Sequence, residues 1–147
     1  MKIISHSVKE TIGIGRRLAR HLKIGDIVAL SGIFGAGKTY FTKGIAQGAG
    51  IKKRQQVNSP SFVLCNVYNC RKFKIYHFDA HRLPKAEELL ELGLTDCFYD
   101  GVCVLEWAEK VTGLARQPNV IPISFKVKNR NERILALLPN KRLKEIK

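Results

Sequence analysis

Apolar residues at Val8, Ile12, Leu18, Ala19 and Leu22 recur at helical spacing and predict an amphipathic helix over 8–22, with Ser7 as its cap. A turn at 23–26 leads into a short apolar strand, Ile27–Ser31. After a glycine-rich loop at 32–37, a second helix is predicted over Lys38–Gln47, closed by Gly48-Ala49-Gly50. Polar residues 52–60 read as loop. Alternating segments at 61–68 and 73–78, with a turn near Asn69, predict a hairpin or meander. A short helix over 87–92 ends at Gly93. Val102–Leu105 is uninterruptedly apolar, as expected of a strand buried on both faces. Two further strands are predicted at 120–127 and 133–138.

Mixed strands and helices of this kind place the chain in the α/β class, with two or three layers. The 147 residues fit one domain, expected over 1–138, followed by a basic tail at 139–147. No repeat, low-complexity tract or linker interrupts it. The longest apolar runs stop after about four residues, far short of the roughly 18 that a membrane span requires. Charged residues at Lys9, Glu10, Arg16 and Arg17 break any signal-peptide core. The expectation is a cytoplasmic protein with no membrane contact.

Charge changes the picture of its partners. The net charge is +14, and eight of the twelve acids fall within residues 79–109. Lys52, Lys53 and Arg54 and the basic segment 126–147 therefore become candidates for contact with RNA phosphates, competing with an ordinary solvated surface. The four cysteines, Cys65, Cys70, Cys97 and Cys103, form no CxxC pair and read as small half-buried hydrophobes.

The strongest chemical signal is Gly32-Ile33-Phe34-Gly35-Ala36-Gly37-Lys38-Thr39. It fits the Walker A pattern, in which glycines turn backbone N–H groups inward around phosphate and the following helix aims its positive end at the same anion. In that pattern Lys38 reaches the β- and γ-phosphates and the Thr39 hydroxyl holds Mg²⁺. Phosphoryl transfer also needs a metal-side acid. Asp79 and Glu106 each end an apolar strand, where α/β sheets gather ligands, and both are candidates. Ser59-Pro60-Ser61 reads as a Ser-Pro turn, with a switch-like hydroxyl as the competing reading. His77 and His81, spaced by four on strand and turn, read as structural or surface residues rather than metal ligands.

Taken together, four blocks resemble the TsaE family of small bacterial P-loop ATPases of tRNA threonylcarbamoyladenosine biosynthesis. They are residues 30–39, Val57–Phe62, His77–Leu83 and Leu105-Glu106-Trp107. Glu87–Leu89 and Glu91–Leu94 match a helical stretch between them, and the similarity spans about residues 8–111. The resemblance implies a single P-loop NTPase-like domain, a mixed central sheet flanked by helices, that binds ATP and Mg²⁺. It implies that Gly35, Ala36, Gly37, Lys38, Thr39 and Tyr40 hold the nucleotide, with Trp107 and Thr11 nearby and Arg133 as a looser match. Glu106 joins Thr39 at the metal, Asp79 matches a Walker B-like aspartate, and Ser61 stands where the family carries a switch-loop Thr. Lys38, Asp79, Glu106 and Ser61 are thus the implied catalytic set. The implied partners are a TsaB–TsaD pair, whose turnover ATP hydrolysis supports, with tRNA as a further partner through the basic surface.

The chain departs from the family at Ile33, where an acidic residue is usual, and at Tyr40, Ser61 and Ala80-His81. Two other classes compete with the ATPase: a small-molecule kinase, for which no Arg-rich lid is evident, and a non-enzymatic RNA-binding module with a vestigial loop.

Overall fold

The computed structural model describes residues 1–60, 65–83 and 85–137. Within these residues seven strands form one mixed sheet: β1 (Lys2–Ser5), β2 (Ile27–Ser31), β3 (Cys65–Asn69), β4 (Lys74–Asp79), β5 (Gly101–Glu106), β6 (Val120–Val127) and β7 (Arg133–Leu137). Their order is β1-β7-β6-β2-β5-β4-β3. The central pairs β6–β2, β2–β5 and β5–β4 run parallel, and the outer pairs run antiparallel. The mixed α/β architecture expected from the sequence is the one observed.

Among the described residues four α-helices flank the sheet: α1 (Val8–Leu18), α2 (Lys38–Ala49), α3 (Ala86–Glu91) and α4 (Cys97–Asp100). On one face, α1 and α2 cover Val28, Leu30, Val102, Val104, Ile121 and Ile123. On the other, Leu89, Leu94 and Cys97 cover Ile27, Ala29, Cys103 and Leu105. This is the three-layer alternative. Strand β5 is buried at every position, which is why its sequence shows no alternation.

Several boundaries differ from the sequence reading for identifiable reasons. Ser7 does cap α1, its hydroxyl accepting the Glu10 N–H at 3.1 Å. The helix ends at Leu18 instead of Leu22, because Arg20 and His21 bond three residues back and tighten the last turn. Its buried face runs through Thr11, Ile14, Gly15 and Leu18, whereas Val8 is exposed. Strand β1 was not expected, since four residues carry too short a pattern; it gains its partners only when β7 comes alongside. Of the first hairpin strand, Cys65–Asn69 is observed and residues 61–64 lie outside the described residues, as does the 138–147 end.

Helices α1 and α2 cross very closely, and glycines make this contact. A Cβ on Gly44 would lie 2.1 Å from the Ile12 carbonyl oxygen, and one on Gly15 2.3 Å from that of Phe41. Helix propensity alone gives Gly→Ala a gain of about 1 kcal/mol. A carbonyl cannot turn aside as a side chain can, so the two helices must part. Overpacking costs about 1–3 kcal/mol, and a 2.1 Å approach to backbone belongs at the upper end, so after the propensity gain Gly44→Ala is expected to destabilise the fold by about 1–2 kcal/mol. Thermal unfolding checks the sign: a variant melting above the native chain refutes the contact argument.

Candidate functional site

The parallel registers bring the chemistry to one edge. Leu30 of β2 pairs with Glu106 of β5, and Glu106 pairs with Asp79 of β4. The loop leaving β2 therefore starts beside both acids, at the carboxyl ends of parallel strands. Alternation then selects the face. Asp79 shares its side of β4 with Ile75, and Glu106 shares its side of β5 with Val102 and Val104, all packed beneath α1 and α2. Both acids thus project on the side from which α2 rises out of the loop.

The loop uses positive φ at Gly32 (141°), Gly35 (75°) and Gly37 (103°). A Cβ at Gly35 would meet no atom within 4 Å, so there the backbone conformation alone requires glycine. At Gly32 a Cβ would also strike the Phe125 carbonyl oxygen at 2.7 Å. Lys38, only 5% exposed, donates to the carbonyls of Gly32 (2.6 Å) and Ile33 (3.1 Å). Its ammonium lies 4.2 Å from the centre of the Trp107 ring, a cation–π contact. Burial lowers the Lys38 pKa, while the carboxylates of Glu106, Glu109 and Asp79 pull it back up.

Thr39 donates its hydroxyl to Glu106 Oε1 at 3.0 Å. Asp79 Oδ1 accepts the His81 backbone N–H at 2.7 Å. Asp79 and Glu106 are each 3% exposed. An open cavity of about 190 Å³ is lined by Gly35, Ala36, Gly37, Lys38, Thr39 and Tyr40, and by Phe34, Ser59, Asp79, Glu106 and Trp107. The phosphate loop, both candidate acids and the tryptophan expected beside them therefore meet at one place. Trp107 is the one non-glycine residue with positive φ (60°) among the described residues. Its ring also stacks on His81, with centroids 4.5 Å apart.

The remaining expected residues fall differently. Thr11 sits behind the loop: a Cβ on Gly37 would be 3.8 Å from the Thr11 methyl and 3.9 Å from Arg133 Nε. Its hydroxyl is engaged with Ser5 Oγ (2.7 Å) and the Ser7 carbonyl (3.2 Å), so it meets the loop through its methyl group. Ser61 lies outside the described residues; its neighbour Ser59 lines the cavity. Ile33 is 65% exposed on the loop, and Lys52, Lys53 and Arg54 are exposed away from the cavity lining.

Two groups were missed. Glu109 Oε1 accepts the Gly32 N–H at 3.3 Å. His77, read as structural or surface from sequence, is fully buried and bonds Glu106 Oε1 through Nε2 at 2.9 Å. The signal was present in the alternation of β4, which puts His77 on the same side as Asp79. His81, four residues on, is exposed. No cluster of three or more His, Cys, Asp or Glu able to hold a metal alone occurs among the described residues. No described helix is long and apolar enough to cross a membrane. All four cysteines are free thiols.

The chain compares closely with known proteins. The family model "Threonylcarbamoyl adenosine biosynthesis protein TsaE" matches residues 5–135. The tRNA threonylcarbamoyladenosine biosynthesis protein TsaE of Treponema pallidum is 41% identical over 112 residues, covering 76% of this chain and 81% of that protein. The protein of the same description from Rickettsia prowazekii is 36% identical over 132 residues, 90% of each chain. The crystal structure of Bacillus subtilis YdiB superposes with a TM-score of 0.72 at 32% identity, covering 93% of this chain and 83% of that one. With a family match that runs from β1 into β7 and relatives this similar along most of the chain, the chain belongs to the TsaE family of threonylcarbamoyl adenosine biosynthesis proteins.

Proposed function

We propose that the protein binds and hydrolyses Mg-ATP in support of tRNA threonylcarbamoyladenosine modification, acting with a TsaB–TsaD pair. The observation that carries this reading is the convergence of Lys38, Thr39, Asp79 and Glu106 on one cavity, with the Thr39 hydroxyl already 3.0 Å from Glu106. Family membership supports the tRNA-modification setting.

The residues present fit the nucleotide and its metal. The loop supplies positive-φ glycines and a following helix, the arrangement that turns N–H groups toward an anion. Mg²⁺ favours oxygen ligands and is commonly held by one or two carboxylates together with substrate phosphates. Thr39 and Glu106 would supply the protein's oxygens, with Asp79 beside them. The bound ion supplies charge neutralisation across the phosphates. Lys38 would exchange its two carbonyl partners for phosphate oxygens, a stronger charge-assisted pairing. Asp79, fixed by the His81 N–H, would orient the attacking water. The cavity is smaller than the about 300–1,000 Å³ typical of sites enclosing a whole drug-sized ligand. It suits the phosphate end, leaving the rest of the nucleotide at the surface near Tyr40.

Phosphate release from Mg-ATP, with and without a TsaB–TsaD pair, tests the proposal. A rate raised by the pair supports it. A rate indifferent to the pair removes the pathway assignment. Transfer of phosphate to a small molecule would favour the kinase, and binding of RNA with no hydrolysis in any mixture would favour the vestigial-loop reading.

A further inference from the structure

We propose that His77 is a positioning residue that aims the Glu106 carboxylate and ties it to the 57–60 segment. This rests on the reading of Glu106 as the metal-side acid. The observations form a continuous set of polar contacts. Thr39 Oγ1 and His77 Nε2 both engage the same oxygen of Glu106, at 3.0 and 2.9 Å. The other ring nitrogen, Nδ1, lies 3.0 Å from the Tyr68 hydroxyl. That hydroxyl also lies 3.0 Å from the Asn58 carbonyl, so its one hydrogen is contested between Nδ1 and this oxygen; Asn66 Nδ2 donates to the same carbonyl at 3.2 Å. Asn58 precedes Ser59, which lines the same cavity as the loop.

Geometry explains why a histidine stands here. A carboxylate accepts only, so Nε2 carries the hydrogen that points at Glu106. The ring is flat, Nε2 is held by Glu106 and Nδ1 lies against the Tyr68 hydroxyl, which together orient its plane. Glu106 ends its strand and carries three rotatable bonds; two donors on one oxygen select one orientation. No apolar side chain at 77 could do this, although the position is wholly buried and otherwise suits one. Partners that orient metal ligands in this way typically contribute about 10–100-fold to metal affinity. The same contacts connect Glu106 to the 57–60 segment, so a displacement of Asn58 would be felt at Glu106 through two side chains.

Replacement by two amides separates the two nitrogens. A glutamine amide reaches as far as Nε2, and an asparagine amide only as far as Nδ1. ADP affinity is measured by calorimetry in EDTA and across a Mg²⁺ titration, with thermal melting as a check on folding. His77→Gln is expected to keep the native Mg²⁺ midpoint within about threefold, whereas His77→Asn raises it by about tenfold or more. Affinity in EDTA stays native in both. Tyr68→Phe, which removes one oxygen, shifts the midpoint in the same direction by a smaller factor, and it decides the matter if the His77 variants fail to fold. Native midpoints in His77→Asn and Tyr68→Phe overturn the proposal, provided Glu106→Gln shifts the midpoint. If Glu106→Gln leaves it native, the assignment of Glu106 to the metal fails instead.

Discussion

Lys38→Ala is expected to reduce phosphate release by about 10²–10³-fold while leaving the fold intact. The rate argument is electrostatic. A buried, preorganised donor aimed at developing charge contributes about 3–4 kcal/mol to the transition state, and hydrolysis of a triphosphate develops that charge on oxygens within reach of the loop. The stability argument is separate and runs the other way. Burial lowers the Lys38 pKa, so the folded protein holds this proton less tightly than the unfolded chain does. Below the lowered value the charged lysine is a full cost to folding; as pH rises through it toward the ordinary lysine value, the cost disappears. Alanine removes that cost together with the two bonds to Gly32 and Ile33, and these effects oppose one another. A melting temperature near native, with hydrolysis lost, is the expected pair of results. Lys38→Arg is expected to restore little, because a planar fork cannot sit where one ammonium fits between two carbonyls and the Trp107 face. Hydrolysis persisting in Lys38→Ala would show that the loop does not act on the phosphate.

Much of the site was legible because its chemistry is local. The loop needs glycines at fixed offsets from Lys38 and Thr39, so eight consecutive residues carry it. Asp79 and Glu106 were legible as strand ends, but their register was not: that Asp79 pairs with Glu106 follows from β4 and β5 lying side by side, which no pattern within either strand encodes. The same limit hid β1, which exists only as a partner of β7. It also hid the glycines of α1 and α2. Gly15, Gly44 and Gly48 look like poor helix residues until the two helices are seen to touch backbone to backbone. His77 is the most instructive case. A histidine in a strand is usually an ordinary surface or core residue, and only the positions of Glu106 and Tyr68, from two other strands, show what its two nitrogens meet.

Glu106 should show a split between its two simplest replacements, and the split identifies its role. Glu106→Ala removes the acceptor of both Thr39 and His77. A buried imidazole N–H left without a partner costs about 1–3 kcal/mol, so this variant is expected to melt lower as well as to hydrolyse about 10²–10³-fold more slowly. Glu106→Gln keeps the shape, and its amide oxygen still accepts from both donors. Its stability is therefore expected to stay near native, while the lost negative charge still weakens Mg²⁺ and lowers phosphate release. Melting curves and phosphate release across a Mg²⁺ titration separate the two effects. If the rate falls equally in both variants and stability falls only in alanine, the catalytic contribution of Glu106 is its charge at the metal. If Glu106→Gln hydrolyses at the native rate with native Mg²⁺ dependence, the buried acid serves only to satisfy Thr39 and His77. The metal-side role then passes to Asp79, its direct neighbour across the β4–β5 register.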